Sequence, residues 1–323
     1  MKHIVIGYVF YPALSEVTPE DARKLTHINL AFGLIKDGLL DMRNLTDWDR
    51  IDNFKRWNPD LKLVLSVGGW GAGGFSNMAM TEEGRRAFAK SCLEAVERHN
   101  LDGIDIDWDP RDKENYTLLL QALRDALGRD RIVSVAVGAG EYFVEGSQMD
   151  KVSEIVDYVQ LMTYDLRNGF TSQAGHHASL GLSKGDTSNT GTRGIVEMFR
   201  RAGVPYEKMV VGAAFYSRMF TGVPDINNGL LQPSESVGMA GPGYGELTDQ
   251  YRLAGGFREY WDDEAEASYL WNGSTFLSYE SPEAIRRKCR YVMEKGMMGI
   301  MFWEHGCDLT RELLDTIHET IHA

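Results

Sequence analysis

The stretch LDGIDIDWDPRDKENYTLLL, residues 101–120, decides how the rest of the chain is read. Its first half alternates, with Asp105, Asp107 and Asp109 separated by Ile106 and Trp108. A strand repeats every two residues, so the three carboxylates share one face while Ile104, Ile106 and Trp108 share the other. Asp112 then stands as an N-cap ahead of Lys113 and Glu114, and helical amphipathicity runs on to Leu127. Strand, short turn and helix make one βα unit. Asp102 precedes the alternation and reads as a strand start or a partner for neighbouring backbone.

Similar units lie on both sides. Apolar runs begin at His3 (HIVIGYV), His27 (HINLAFG), Leu61 (LKLVLSVGG), Arg131 (RIVSVAVGA), Val156 (VDYVQLMTYD), Lys208 (KMVVGAAFY) and Met297 (MMGIMFWE). Amphipathic stretches separate them, among them Thr81–Arg98, Thr192–Ala202, Pro282–Lys295 and Thr310–Ile321, with Thr81 and Ser281 as caps. Strands that are nearly all apolar belong to a parallel sheet covered on both faces. Counting the opening stretch, eight such strands predict an α/β fold of the closed (β/α)8, or TIM-barrel, type. No G-x-G-x-x-G follows the first strand, which counts against a dinucleotide fold. One spacing is irregular. After Tyr216 no helix begins until about Pro282, and the intervening residues are rich in Gly, Tyr and Trp. A connection of that length has structure of its own or a function, so residues 1–323 read as one barrel domain carrying a small insertion over 219–281.

Composition narrows the function. The 323 residues hold 34 basic and 47 acidic side chains, a formal charge of −13, with no run of Lys or Arg. Such a surface suits neither a nucleic-acid backbone nor an anionic membrane. Cys92, Cys289 and Cys307 have no paired spacing, so neither a disulfide framework nor a metal knuckle is expected. The first residues, MKHIVIGYVFYP, lack the long apolar run of a signal peptide, which leads us to expect a soluble monomer, cytoplasmic or exported with its signal absent from this chain.

Barrel enzymes carry their sites at the C-terminal ends of the strands. Those ends collect Tyr8, Phe32, Ser66, Gly69, Trp70, the acid row, Met162, Tyr164, Asp165, Tyr216, Arg218, Trp303 and Glu304. Aromatic rings beside carboxylates suit a sugar, whose C–H faces stack while its hydroxyls need acceptors. Trp271, in the insertion, is a candidate for one wall of the cleft. A lone strand-end Trp is often plain core, and His176 and His177, adjacent in a loop, read as surface or hydrogen-bonding residues. The acid row is different, because alternate carboxylates on an apolar strand have little structural use. Without a further acidic or His cluster nearby they make a poor metal cage, so no metal and no cofactor are expected.

These residues resemble a known family. DGIDIDW, from Asp102 to Trp108, is similar to the D-G-x-D-x-D-x-E signature of family-18 glycoside hydrolases, the chitinases and their relatives. SVGGW (Ser66–Trp70) resembles their S-x-G-G motif, MTYDL (Met162–Leu166) their M-x-Y-D, FYSR (Phe215–Arg218) their Y-x-R, and MFWE (Met301–Glu304) their eighth-strand tryptophan segment. The resemblance implies cleavage of β-1,4-linked N-acetylglucosamine in chitin or its oligosaccharides by substrate-assisted retaining catalysis. A Glu ending the row protonates the glycosidic oxygen, and the substrate's 2-acetamido group attacks the anomeric carbon. Asp107 would orient that group, Asp105 would share a proton with Asp107, Tyr164 would bond the acetamido carbonyl, and Trp303 would floor the sugar subsite. Tyr8, Asp165, Tyr216 and Arg218 would hold hydroxyls, and the rest of the rim would line the cleft.

The sequence departs from this pattern where the acid should be. In place of Glu-Tyr-Pro and a loop it has Asp109, Pro110, Arg111 and Asp112. Either Asp109 replaces the Glu and the loop is clipped, or both are missing and DPRDKENYTLLL is the segment that resumes after them. Either way the acid is at least a methylene short, and impaired catalysis is expected. Two other functions compete: a chitinase-like lectin that binds the same sugars without turnover, and an endo-β-N-acetylglucosaminidase. The intact Asp105, Asp107, Tyr164 and Trp303 favour the enzyme, the altered acid favours the lectin, and Trp70, Trp303 and the insertion suit a linear polymer better than an N-glycan.

Overall fold

The structure, a computed structural model, describes residues 3–110 and 112–323. Eight parallel strands close on themselves: β1 (Ile4–Phe10), β2 (His27–Lys36), β3 (Lys62–Gly68), β4 (Gly103–Asp107), β5 (Ile132–Gly138), β6 (Tyr158–Met162), β7 (Met209–Ala214) and β8 (Gly299–Trp303). Each pairs with the next, and β1 pairs with both β2 and β8, so the expected (β/α)8 barrel is formed. The helices begin where the caps are. The side chain of Thr81 accepts from Gly84 N at 3.0 Å, that of Asp112 from Asn115 N at 2.9 Å, and that of Ser281 from Ala284 N at 3.4 Å.

Alternation along the strands divides the core in two. Outward side chains such as Ile104, Ile106, Val133 and Val135 pack against the helices, while Ile6, Tyr8, Ala31, Tyr158, Tyr164, Val210 and Met301 fill the barrel interior. Trp108 follows the outward set, stacked 5.0 Å from Phe75 with their planes 9° apart. Asp102 bonds neighbouring backbone, accepting from Leu63 N at 2.8 Å.

Between β7 and the helix Pro282–Glu294 the chain builds a second, antiparallel sheet. Its five strands are Tyr216–Phe220, Met239–Gly243, Arg258–Asp262, Ala267–Trp271 and Phe276–Tyr279. Only Phe215 separates the first of these from β7, so the barrel strand runs almost directly into the insertion. The sheet has small cores of its own, one around Phe220, Tyr269, Trp271 and Phe276 and another around Leu270, Leu277 and Tyr279. Among the described residues no helix is long and apolar enough to cross a membrane.

Candidate active site

The inward face of β4 carries Asp105 in the middle and Asp107 at the end. Ladder register sets Ser66 of β3 and Ser134 of β5 directly beside Asp105. Both hydroxyls donate to its carboxylate at 2.8 Å, as do the Tyr8 hydroxyl from β1 and Gln160 Nε2 from β6. Two donors on each oxygen fill the acceptor capacity of a carboxylate. Burial pushes the Asp105 carboxyl up while these donors pull against it, and the balance remains above the usual value. Gln160 is held in turn, its Oε1 accepting from Asn29 Nδ2 at 3.0 Å.

Asp107 has no such set of donors. Burial, then the charges of Asp105 and Asp109, push its carboxyl up to about 7. Its backbone explains the twin glycines of β3. Gly69 N donates to Asp107 O at 3.0 Å, and a Cβ on Gly68, at φ +124°, would lie 1.9 Å from that same oxygen. The strand ends at Asp107, and Asp109 is exposed in the short turn before the helix Lys113–Leu127. Arg111 lies outside the described residues. The charge of Asp109 still reaches Asp107 and Tyr142.

Across the barrel mouth, Tyr164 packs in the interior with its hydroxyl 3.9 Å from Met301 Sδ, a weak partner. Burial, then nearby carboxylate charge, pushes this phenol well above the usual value, so it remains a donor. Trp303 stacks on Phe32, with ring centroids 5.4 Å apart, and leans on Tyr8 at 5.7 Å. Gly69, at φ +94°, leaves room for Phe32, whose ring would lie 2.8 Å from a Cβ there. Beside them Asp165 accepts from the Tyr216 hydroxyl and from Arg218 Nε and a terminal guanidinium nitrogen, each at 2.7 Å. Burial would raise the Asp165 carboxyl, but His177 and Arg218 outweigh it and hold it below the usual carboxylate range.

The expected rim residues therefore divide. Asp105, Asp107, Tyr164, Trp303, Phe32, Met162, Asp165, Tyr216 and Arg218 come together at the mouth or just inside it. Tyr8 and Ser66 are corrections. Both are buried with their hydroxyls committed to Asp105, so they support a carboxylate and do not face a sugar. Trp271 is another: it is 4% exposed, packs in the insertion's own core and donates Nε1 to Asp225 at 3.3 Å. His176 and His177 are buried rather than on the surface. His176 faces the insertion, its Nε2 3.2 Å from Asp262 Oδ2, whereas His177 Nδ1 lies 3.7 Å from Asp165 Oδ1. Trp70 is 93% exposed and its ring meets that of Phe170 at 6.3 Å. Ser134 and Gln160 escaped the sequence reading. Their signal was a polar residue at an inward position of an otherwise apolar strand, in VSVAVG and YVQLM. Among the described residues no group of three or more His, Cys, Asp or Glu is placed to hold a metal ion.

Known proteins resemble the chain over most of its length. Chitinase A1 of Niallia circulans is 32% identical over 305 residues, taking in 82% of this chain and 43% of that protein. Chitinase B of Serratia marcescens is 27% identical, over 95% of this chain and 81% of its own length. Among solved structures, a family-18 N-acetylglucosaminidase from Paenibacillus barengoltzii superposes with a TM-score of 0.95 at 44% identity, covering 98% of this chain and 99% of that one. The chain thus spans less than half the length of the Niallia relative. Residues 4–308 match the family described as Glycosyl hydrolases family 18, and with that match running from β1 past β8 the chain belongs to the family-18 glycosyl hydrolases.

Proposed function

We propose that the chain is a glycosidase acting on β-1,4-linked N-acetylglucosamine, with the substrate's acetamido group as nucleophile and a proton donor that is weak as the sequence stands. The observation that carries this reading is the unequal treatment of two neighbouring carboxylates. Asp105 is saturated by four donors, while Asp107, two residues on, has its carboxyl raised to about 7. Near neutrality Asp107 can donate to or accept from a substrate amide as charge develops, and Asp105 behind it supplies a fixed negative potential. The Tyr164 hydroxyl has a weak partner in Met301 Sδ at 3.9 Å, one that an acetamido oxygen can displace. Trp303 offers a ring face beneath the sugar.

As the amide oxygen attacks the anomeric carbon, the glycosidic C–O bond breaks and the leaving oxygen takes a proton. Water then opens the cyclic intermediate from the face that the leaving oxygen vacated, opposite the amide oxygen, so configuration is retained. Asp109 continues the acid row in sequence, but it is exposed and stands beyond the strand end. Proton delivery is the weak step. That same observation favours a second reading, a lectin that binds the sugar without turnover. The Paenibacillus neighbour, named an N-acetylglucosaminidase, supports the choice of sugar.

The test is incubation with soluble chitin oligomers followed by product analysis. Slow release of shorter oligomers, lost in Asp107→Asn, is the expected result. Binding without any product establishes the lectin, and no binding removes both.

A further inference from the structure

Helix Pro282–Glu294 buries a lysine, Lys288, at 1% side-chain exposure against Glu280, at 3%. Neither touches the acid row. Their Nζ and Oε1 are 2.8 Å apart, and each also bonds one short piece of β7. Glu280 Oε2 accepts from Ala214 N at 2.6 Å, and Lys288 Nζ donates to Gly212 O at 3.1 Å.

That piece of β7 has lost its neighbour. The ladder between β6 and β7 pairs Val159 with Met209, Gln160 with Val210 and Leu161 with Val211, and then stops. Backbone groups on the β6 side would be left unpaired in a dry interior, at considerable cost. Side chains take over. Thr163 Oγ1 accepts from Gly212 N at 3.0 Å and donates to Gly212 O at 2.7 Å, and Glu280 receives Ala214 N. The opened seam is where Tyr164 enters the barrel, since a Cβ on Gly212 would lie 2.9 Å from the Tyr164 ring. On its other edge the same piece pairs with β8, Ala214 opposite Trp303.

We infer that Glu280, with Lys288 as its buried counter-charge, is a positioning residue that holds the β6–β7 seam open at the width Tyr164 needs and keeps Trp303 in register on the other edge of β7, and so sets the acetamido pocket of the proposed function. Buried ion pairs add little to stability compared with apolar replacements of similar size, which separates this role from simple structural support. The inference rests on the proposed sugar specificity for its binding readout only.

The experiment compares two double variants with the unaltered chain, using chitin tetramer in calorimetry and the Trp303 indole N–H resonance in the absence of sugar, assigned by its loss in Trp303→Phe. Glu280→Gln/Lys288→Met removes both charges and keeps an acceptor for Ala214 N. It should bind within about twofold of the unaltered chain and leave the indole resonance in place. Glu280→Leu/Lys288→Met removes the acceptor. It should bind at least about tenfold more weakly, well below its melting temperature, and shift the resonance. Should that variant not fold, the near-isosteric Thr163→Val removes the side-chain cap on Gly212 in the same seam and should shift the resonance likewise. A folded Glu280→Leu/Lys288→Met or Thr163→Val with unchanged affinity and an unmoved indole signal overturns the inference. If the unaltered chain does not bind the tetramer, the sugar assignment falls, and the indole signal alone still decides the seam.

Discussion

Asp105 and Asp107 lie on the same face of the same strand, yet only Asp105 is surrounded by donors. Asp107, half-buried at the strand end, lacks that support, so a proton entering the pair has its place at Asp107, whose carboxyl is raised to about 7. Several consequences can be measured.

The folded state holds a proton on Asp107 over a range where the unfolded chain does not. A carboxyl raised on folding makes the native state bind more protons, so stability falls as pH rises from about 4 towards 7. Urea melts across that range should show a loss on the order of 3 kcal/mol from this group. Asp107→Asn should flatten most of the slope. An equally steep slope in that variant would assign the titration elsewhere.

Gln160→Met keeps the volume but takes one donor from Asp105. The Asp105 carboxyl should rise further, and with its charge diminished the Asp107 carboxyl should fall. Carbon-detected NMR titration of the aspartate carboxyls reads both shifts, and movement of the two in the same direction would contradict the arrangement.

Trp303 and Trp271 separate binding from folding. Trp303→Ala should weaken chitin tetramer binding by about 1–3 kcal/mol in calorimetry, as loss of a ring platform does. Trp271→Ala should instead destabilise the protein by about 3–5 kcal/mol through a cavity in the insertion, with a smaller effect on affinity.

Asp109→Glu should recover little turnover, because the side chain starts from an exposed turn beyond the strand end. Reinserting a Glu-Tyr-Pro loop after Trp108 should raise hydrolysis of the natural oligomer by roughly 100-fold, the scale of a misplaced catalytic group. An aryl glycoside, whose leaving group needs less protonation, should gain less from the loop. Full turnover in the unaltered chain would point to another donor.

Turnover, where present, should be indifferent to EDTA, since four donors fill the acceptor sites of Asp105 and, among the described residues, no group of three or more His, Cys, Asp or Glu is placed to hold a metal ion. Loss with EDTA and recovery with a divalent ion would replace the proton-sharing reading with a metal site.

The barrel was legible because each strand is a short apolar run and several helices have a visible cap, both local signals. So was the acid row, since alternation assigns Trp108 outward and Asp105 inward without knowledge of any partner. What sequence reading lacked was the far end of each hydrogen bond. Tyr8 and Ser66 look like rim residues until Asp105 is seen to take their hydroxyls, and Trp271 looks like a platform until the insertion folds over it. For His176 and His177 the sequence left surface and hydrogen-bonding roles open, and it is their partners Asp262 and Asp165 that decide for the second.

The insertion's first strand also bears on how such proteins can be recombined. Tyr216 and Arg218 belong to the added sheet by pairing and to the cleft by function, because both end on Asp165 of the barrel. Glu280, at the far end of the same insertion, reaches back to Ala214, where the insertion departs. An excision that joined Phe215 to Ser281 would remove two cleft side chains and a backbone acceptor in one cut. Chimeras between relatives should therefore exchange the insertion together with the β6 loop that carries Asp165, His176 and His177, as one inherited block.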